Sequence, residues 1–97
     1  MTNTKNSIII LYMPSISKFY GITIYMYKKD HNPPHFHALF NDYDCTVDIC
    51  SAKVRGKFPK DKRKIVEAWA TIHRQELLDN WDLLCKENKV FDIEPLK

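Results

Sequence analysis

The run His35-Phe36-His37-Ala38-Leu39-Phe40-Asn41-Asp42-Tyr43-Asp44-Cys45-Thr46-Val47-Asp48 decides how this chain is read. Two alternating stretches flank Asn41-Asp42, residue types that tolerate positive φ and so suit a tight hairpin turn. With that pair as the loop, Phe40 faces Tyr43, Ala38 faces Cys45 and Phe36 faces Val47. His37 then faces Thr46, and His35 faces Asp48. Successive strand side chains point to opposite faces. The apolar sets of both strands coincide, which is the check a register must pass.

Upstream, Gly21 to Tyr27 alternates Ile22, Ile24 and Met26 with Thr23, Tyr25 and Tyr27, the pattern of a half-buried strand. Lys28 to Pro34 is a connecting loop, because Pro33-Pro34 cannot sit in a central strand. Pairing the 21–27 strand beside His35–Phe40 brings Tyr25 and Tyr27 near His37 and His35. One sheet face is then Ile22, Ile24, Met26, Phe36, Ala38, Phe40, Cys45, Val47 and Ile49, and the other Tyr25, Tyr27, His35, His37, Thr46 and Asp48. Residues 1–7 are polar, and Ile8 to Tyr12 reads as a short strand or a docking tail. Residues 1–12 are expected to be an extension to a single domain spanning 13–97.

Downstream, Val54 to Phe58 is a short fourth strand, and Pro59 opens the strong helical signal, since proline suits a first helical turn. Val66, Trp69, Ala70, His73, Leu77, Trp81 and Leu84 recur at spacings of three and four, with Ile65 and Ile72 widening the stripe. One helix of roughly 28 residues would be about 42 Å long, more than a small sheet can cover. It therefore breaks near His73 or projects to pack on a partner. Phe91 to Leu96 is an extended tail. The expected fold is α+β: an antiparallel sheet of three to four strands packed on one long C-terminal helix, continuous or broken.

The 97 residues, 44% hydrophobic and 28% charged, fit one globular domain and not a disordered chain. Cys45, Cys50 and Cys85 are an odd number without a CxxC pair, which suits a reducing compartment. The apolar run Ile8–Met13 is too short for a secretory core or a membrane span. A cytoplasmic protein with no membrane partner is expected. The chain has neither a glycine-rich phosphate loop nor a serine nucleophile elbow nor HExxH.

Three of the four histidines, His31, His35 and His37, lie within seven residues. His-x-His on a strand sets two imidazoles on one face, a spacing that can chelate a divalent metal such as zinc with His31 or Asp48 as third ligand. The same rings can act without metal, one as base and one as acid, in cleaving a phosphodiester. Asp48 would orient His35, and Tyr27 and Tyr25 could stack a base. The plainer alternative is a polar sheet face whose groups bond one another and water. Lys53, Arg55, Lys57, Lys60, Lys62, Arg63 and Lys64 place seven cations in twelve residues, leading into a helix N-terminus that favours anions. They form a candidate phosphate site, or else a solvated face. Lys62 to Lys64 oppose the helix dipole and so do not serve helix stability. Trp69 and Trp81 read as core or interface, His73 as a hydrogen-bonded core histidine and the cysteines as small core residues. Cys50, on the polar face by alternation, is the one to test as a thiolate or ligand.

Met13-Pro14-Ser15-Ile16-Ser17-Lys18-Phe19-Tyr20-Gly21-Ile22, Asp30-His31-Asn32-Pro33-Pro34-His35-Phe36-His37-Ala38, Glu67-Ala68-Trp69 and His73-Arg74-Gln75-Glu76-Leu77-Leu78-Asp79-Asn80-Trp81 together resemble the bacterial domain-of-unknown-function family numbered 4160. Ile93-Glu94-Pro95-Leu96 extends the likeness. Where family members often carry two glycines in the second turn, this chain has Asn41-Asp42. The family's characteristic residues map to His31, Pro33, Pro34, His35, Phe36, His37, Trp69, His73, Asn80 and Trp81. The resemblance implies a small protein encoded beside a second small protein in an arrangement like a toxin–antitoxin pair, with this chain as the toxin. The expectation is a type II toxin acting on RNA or translation through its histidine cluster, with a small antitoxin protein as partner. The alternatives are a non-enzymatic protein-binding module that dimerises through its long helix, and a nucleic-acid-binding regulator.

Overall fold

The structure is a computed structural model and describes residues 13–27 and 31–97. The expected extension at 1–12, with its Ile8–Tyr12 strand or tail, lies outside the described residues. Five strands form one antiparallel sheet in sequential order: β1 (Ser15–Phe19), β2 (Ile22–Tyr25), β3 (His35–Phe40), β4 (Tyr43–Asp48) and β5 (Lys53–Arg55). Two helices follow, α1 (Lys60–Ile72) and α2 (Arg74–Glu87). The α+β class is as expected, with one strand more than the three to four read from the sequence.

The β3–β4 register is the one derived above, from His35↔Asp48 through Phe40↔Tyr43. Asn41 alone takes the positive φ of the turn, at 52°. β2 pairs on the other side of β3, with Tyr25 opposite His37. The added strand is β1. A register irregularity between Ser15 and Ser17 leaves Ile16 and Ser17 both buried, so the period-two pattern that marks a strand is broken where it would be read. Tyr20 (φ 51°) and Gly21 (φ 77°) turn β1 into β2. Two successive positive φ values are the signature of the tightest hairpin loops, and tyrosine seldom adopts one. A Cβ on Gly21 would also meet the Phe40 ring at 3.3 Å.

Both sheet edges are guarded. On β1 the Ile16 carbonyl accepts the Ile93 N–H at 2.8 Å, and on β5 the Val54 N–H donates to Glu67 Oε2 at 2.9 Å. Open edges template pairing with other chains, and these contacts occupy hydrogen-bonding groups that would do so. The tail carrying Ile93 is itself clamped: fully buried Asn80 accepts the Phe91 N–H and donates to the Phe91 carbonyl, both at 2.8 Å. Trp69 Nε1 donates to the Glu94 carbonyl.

The helical stripe ends and restarts at His73. The His73 N–H closes α1 on the Trp69 carbonyl, and the His73 carbonyl opens α2 by accepting the Leu77 N–H. Arg74 Nε donates to the Ile49 carbonyl at the end of β4 and pins the bend to the sheet. Of the two alternatives, the helix takes the break at His73, and an overlong helix in need of a partner is no longer an argument for a homodimer. Val66, Trp69, Ala70, Leu77, Trp81 and Leu84 join Ile22, Ile24, Met26, Phe36, Ala38, Cys45, Val47 and Ile49 in one core. Burial pushes the Cys45 thiol up to about 11. Cys50 and Cys85 are exposed, so Cys85 is not the core residue expected.

Candidate functional site on the open sheet face

The helices cover one face of the sheet, and the alternate residues of β2 to β5 share the other. Cross-strand pairing lines these up in rows: Tyr25–His37–Thr46–Arg55, and beside it His35–Asp48–Lys53. Because Val54 is buried between them, Lys53 and Arg55 point to the histidine face. Period-two reasoning applied to Lys53-Val54-Arg55 would have found them there.

The rings form a continuous ribbon. Tyr25 stacks on His37 with centroids 5.2 Å apart at 20°, and Tyr27 meets the same imidazole edge-on at 4.6 Å. His37 and His35 lie 5.4 Å apart, and His35 tilts against Trp81 at 5.1 Å. Trp81 is buried as expected. Its contact with His35 depends on the path of α2 past the mouth of β3, which no local pattern encodes.

Two hydrogen-bond arrangements differentiate the histidines. His35 Nδ1 lies 2.8 Å from the Pro33 carbonyl. A carbonyl only accepts, so the ring donates from Nδ1 and Nε2 becomes the basic nitrogen of the neutral tautomer. His37 Nδ1 lies 4.0 Å from Asp44 Oδ1, an ion pair when the ring is protonated. The second oxygen of Asp44 accepts the Tyr25 hydroxyl at 2.5 Å. Asp44 was missed as a site residue, although alternation from Cys45 and Val47 puts it on this face.

Asp48 stays opposite His35 in register, but its Oδ1 accepts the Ser51 N–H at 3.0 Å and its carbonyl accepts the Ala52 N–H. Its carboxylate caps the turn into β5, where Ala52 adopts φ 60°. His31 does not join the face. It lines a cleft against α2 with Asn32, Pro34, Trp81, Asp82 and Cys85. Among the described residues no group of three or more His, Cys, Asp and Glu side chains is placed to hold a metal ion, so His31, His35 and His37, the set weighed as an alternative to metal-free chemistry, are not brought together as ligands.

The basic run divides. Lys53 and Arg55 flank the histidines, whereas Lys57 lies in the β5–α1 connection and Lys60 and Lys64 are exposed on α1. Lys62 sits 5.0 Å over the Phe40 ring and 3.9 Å from Asp61, and Arg63 donates to the Gly56 carbonyl. These two cations thus also make local contacts within the chain. His73 is hydrogen-bonded to Glu76 at 2.5 Å beside Trp69, as a core histidine should be.

Burial, then the hydrogen bond to Asp44 and the charge of that carboxylate, push the Tyr25 phenol well above the ordinary tyrosine range. Tyr25 is expected to stay protonated through pH 11 in an ultraviolet titration, and Asp44→Asn to lower its midpoint only in part, since burial contributes most. An acid with a raised folded value stabilises the fold below its unfolded value near 10, and the contribution is lost as pH rises further. Alkaline unfolding followed by circular dichroism checks the sign.

A model of the family described as Domain of unknown function (DUF4160) matches residues 21–82. The chain belongs to this family. The matched span of the DUF4160 domain runs from the β1–β2 turn to the Trp81 turn of α2, and so contains the whole ring ribbon, Asp44, Lys53 and Arg55. No curated protein and no solved structure matches the chain. Among the described residues no helix is long and apolar enough to cross a membrane.

Proposed function

We propose that this DUF4160 protein is the toxin of a bacterial type II toxin–antitoxin pair, acting in the cytoplasm on RNA through its open sheet face. The observation that carries the reading is the pair of differently held imidazoles, His35 and His37, with ring centroids 5.4 Å apart in rows that end in Lys53 and Arg55. His35, with Nδ1 donating to the Pro33 carbonyl, takes the 2′-hydroxyl proton at Nε2 as the 2′-oxygen attacks phosphorus. His37, protonated and faced by Asp44, gives its proton to the 5′-oxygen as the P–O5′ bond breaks. Lys53 and Arg55 neutralise backbone phosphates, and Tyr27 and Tyr25 fix the His37 ring. A small antitoxin protein covering the same face would silence the activity, since both sheet edges already hold intramolecular contacts.

The test is induced expression in a bacterial host, comparing wild type with the His35→Ala/His37→Ala double variant, with total RNA run on a gel. Growth arrest with RNA cleavage, both lost in a folded double variant, is the expected result. Arrest and cleavage that persist in the variant would remove the histidines from the reaction. Growth with intact RNA in the wild type would instead favour a binding module whose sheet face is a protein interface.

A further inference from the structure

The cleft that His31 lines has no part in the proton transfers above, yet it shares Trp81 with His35. Its volume is about 410 Å³, at the lower end of the roughly 300–1,000 Å³ typical of small-molecule sites. Trp81, 7% exposed, shows only the part of its ring that lines the cleft; Pro34 adds an apolar side, Cys85 a thiol, and Asn32, His31 and Asp82 polar groups around them. The cations of the chain's basic run are not among the lining residues, and the one charged carboxylate there, Asp82, repels phosphate. Such a cleft suits an uncharged planar ring with hydrogen-bond donors on its edge. Single-stranded RNA presents such rings: unstacked bases are held on aromatic side chains and read along their edges.

We propose that the cleft between the 31–34 loop and α2 is a nucleobase pocket that seats the base next to the scissile phosphate and favours bases bearing an exocyclic amine. This rests on the RNA reading of the histidine face. Trp81 joins the two sites, with its ring 5.1 Å from that of His35, so a base against Trp81 lies beside the catalytic base. On the exposed side of α2, Asp82 Oδ2 accepts from Lys86 Nζ at 3.1 Å, which leaves Oδ1 as an acceptor for the amine. Carboxylates accept from the cytosine amine in the same way in nucleic-acid complexes. Uracil has no such amine.

The experiment uses uncharged nucleosides, so that the phosphate contacts of Lys53 and Arg55 do not contribute. Adenosine, cytidine and uridine are titrated into isotopically labelled full-length protein while the Trp81 indole N–H signal is followed by NMR. The expected result is saturable movement of that signal, with cytidine and adenosine binding at least about tenfold more tightly than uridine. Asp82→Ala, at an exposed position, is expected to reduce that preference to less than about threefold while the fold is unchanged. A silent Trp81 signal, or equal affinities for all three nucleosides, would overturn the proposal. The two readings fail separately. Histidine-dependent RNA cleavage with a silent Trp81 sinks the pocket alone, whereas selective nucleoside binding without cleavage supports the pocket and sinks the nuclease.

Discussion

Replacing Trp69 with alanine is expected to lower the melting temperature by on the order of 15–30 °C. Trp69 is fully buried, with Phe19 at 5.1 Å, Phe36 at 5.7 Å and His73 at 5.4 Å around it. It therefore joins the first strand, the histidine-bearing strand and the helix bend. Its Nε1 also holds the Glu94 carbonyl at 2.8 Å. A large aromatic cut to alanine in a core costs about 3–5 kcal/mol, through lost transfer energy and the cavity left behind. Domains of this size hold about 5–15 kcal/mol in total, and each kcal/mol shifts melting by about 4–8 °C. The variant is thus near the edge of folding. Trp69→Phe keeps most of the packing and loses the indole donor, leaving the Glu94 carbonyl without it. Its cost, about 1–3 kcal/mol, isolates the hydrogen bond. Thermal unfolding followed by circular dichroism measures both. A loss under about 1 kcal/mol for Trp69→Ala would mean that the sheet does not depend on α1 for its core.

The second large effect is on turnover. In an assay with purified protein and single-stranded RNA, His35→Ala and His37→Ala are each expected to cut kcat by about 10²–10⁴, the usual worth of a positioned acid or base. The double variant should lose far less than the product of the two, because in the proposed reaction the rings act in one transfer. One ring must be neutral and the other protonated, so the pH–rate profile of the wild type should be bell-shaped. Asp44→Asn should act through the 4.0 Å contact with His37, reducing kcat with little change in KM. An unchanged kcat in that variant would separate Asp44 from the reaction and leave it a partner of Tyr25 alone.

Much of this is legible in the sequence. The hairpin register followed from two alternating runs and a turn, because a slip of one residue would have reversed every apolar side chain. The histidine face and the apolar face followed from period, and length left the long helix either to break near His73 or to project onto a partner. β1 was not legible, since its bulge puts Ile16 and Ser17 on one side and its turn uses a tyrosine at positive φ. Asp44, Lys53 and Arg55 were readable in principle from alternation. Asp48, the nearer carboxylate to His35 in register, draws attention from Asp44, while seven cations in twelve residues read as one phosphate patch, which names Lys53 and Arg55 without setting them beside the histidines.

What the sequence by itself determined is therefore the β2–β3–β4 sheet, its two chemically distinct faces and the pairing of His35 with His37. The β3–β4 pairing depends on contacts across one tight turn, where spacing dictates geometry, and β2 joins it by the match of its own alternating apolar face. The tertiary structure alone decided the carboxylate roles, Asp48 to the turn and Asp44 to His37 and Tyr25. It also sent His31 to a separate cleft and brought Trp81 from α2 against His35. Those outcomes turn on how α2 crosses the end of β3 once the helix bends at His73, and that path is set by packing between segments some 45 residues apart (His35 and Trp81), for which local periodicity carries no information.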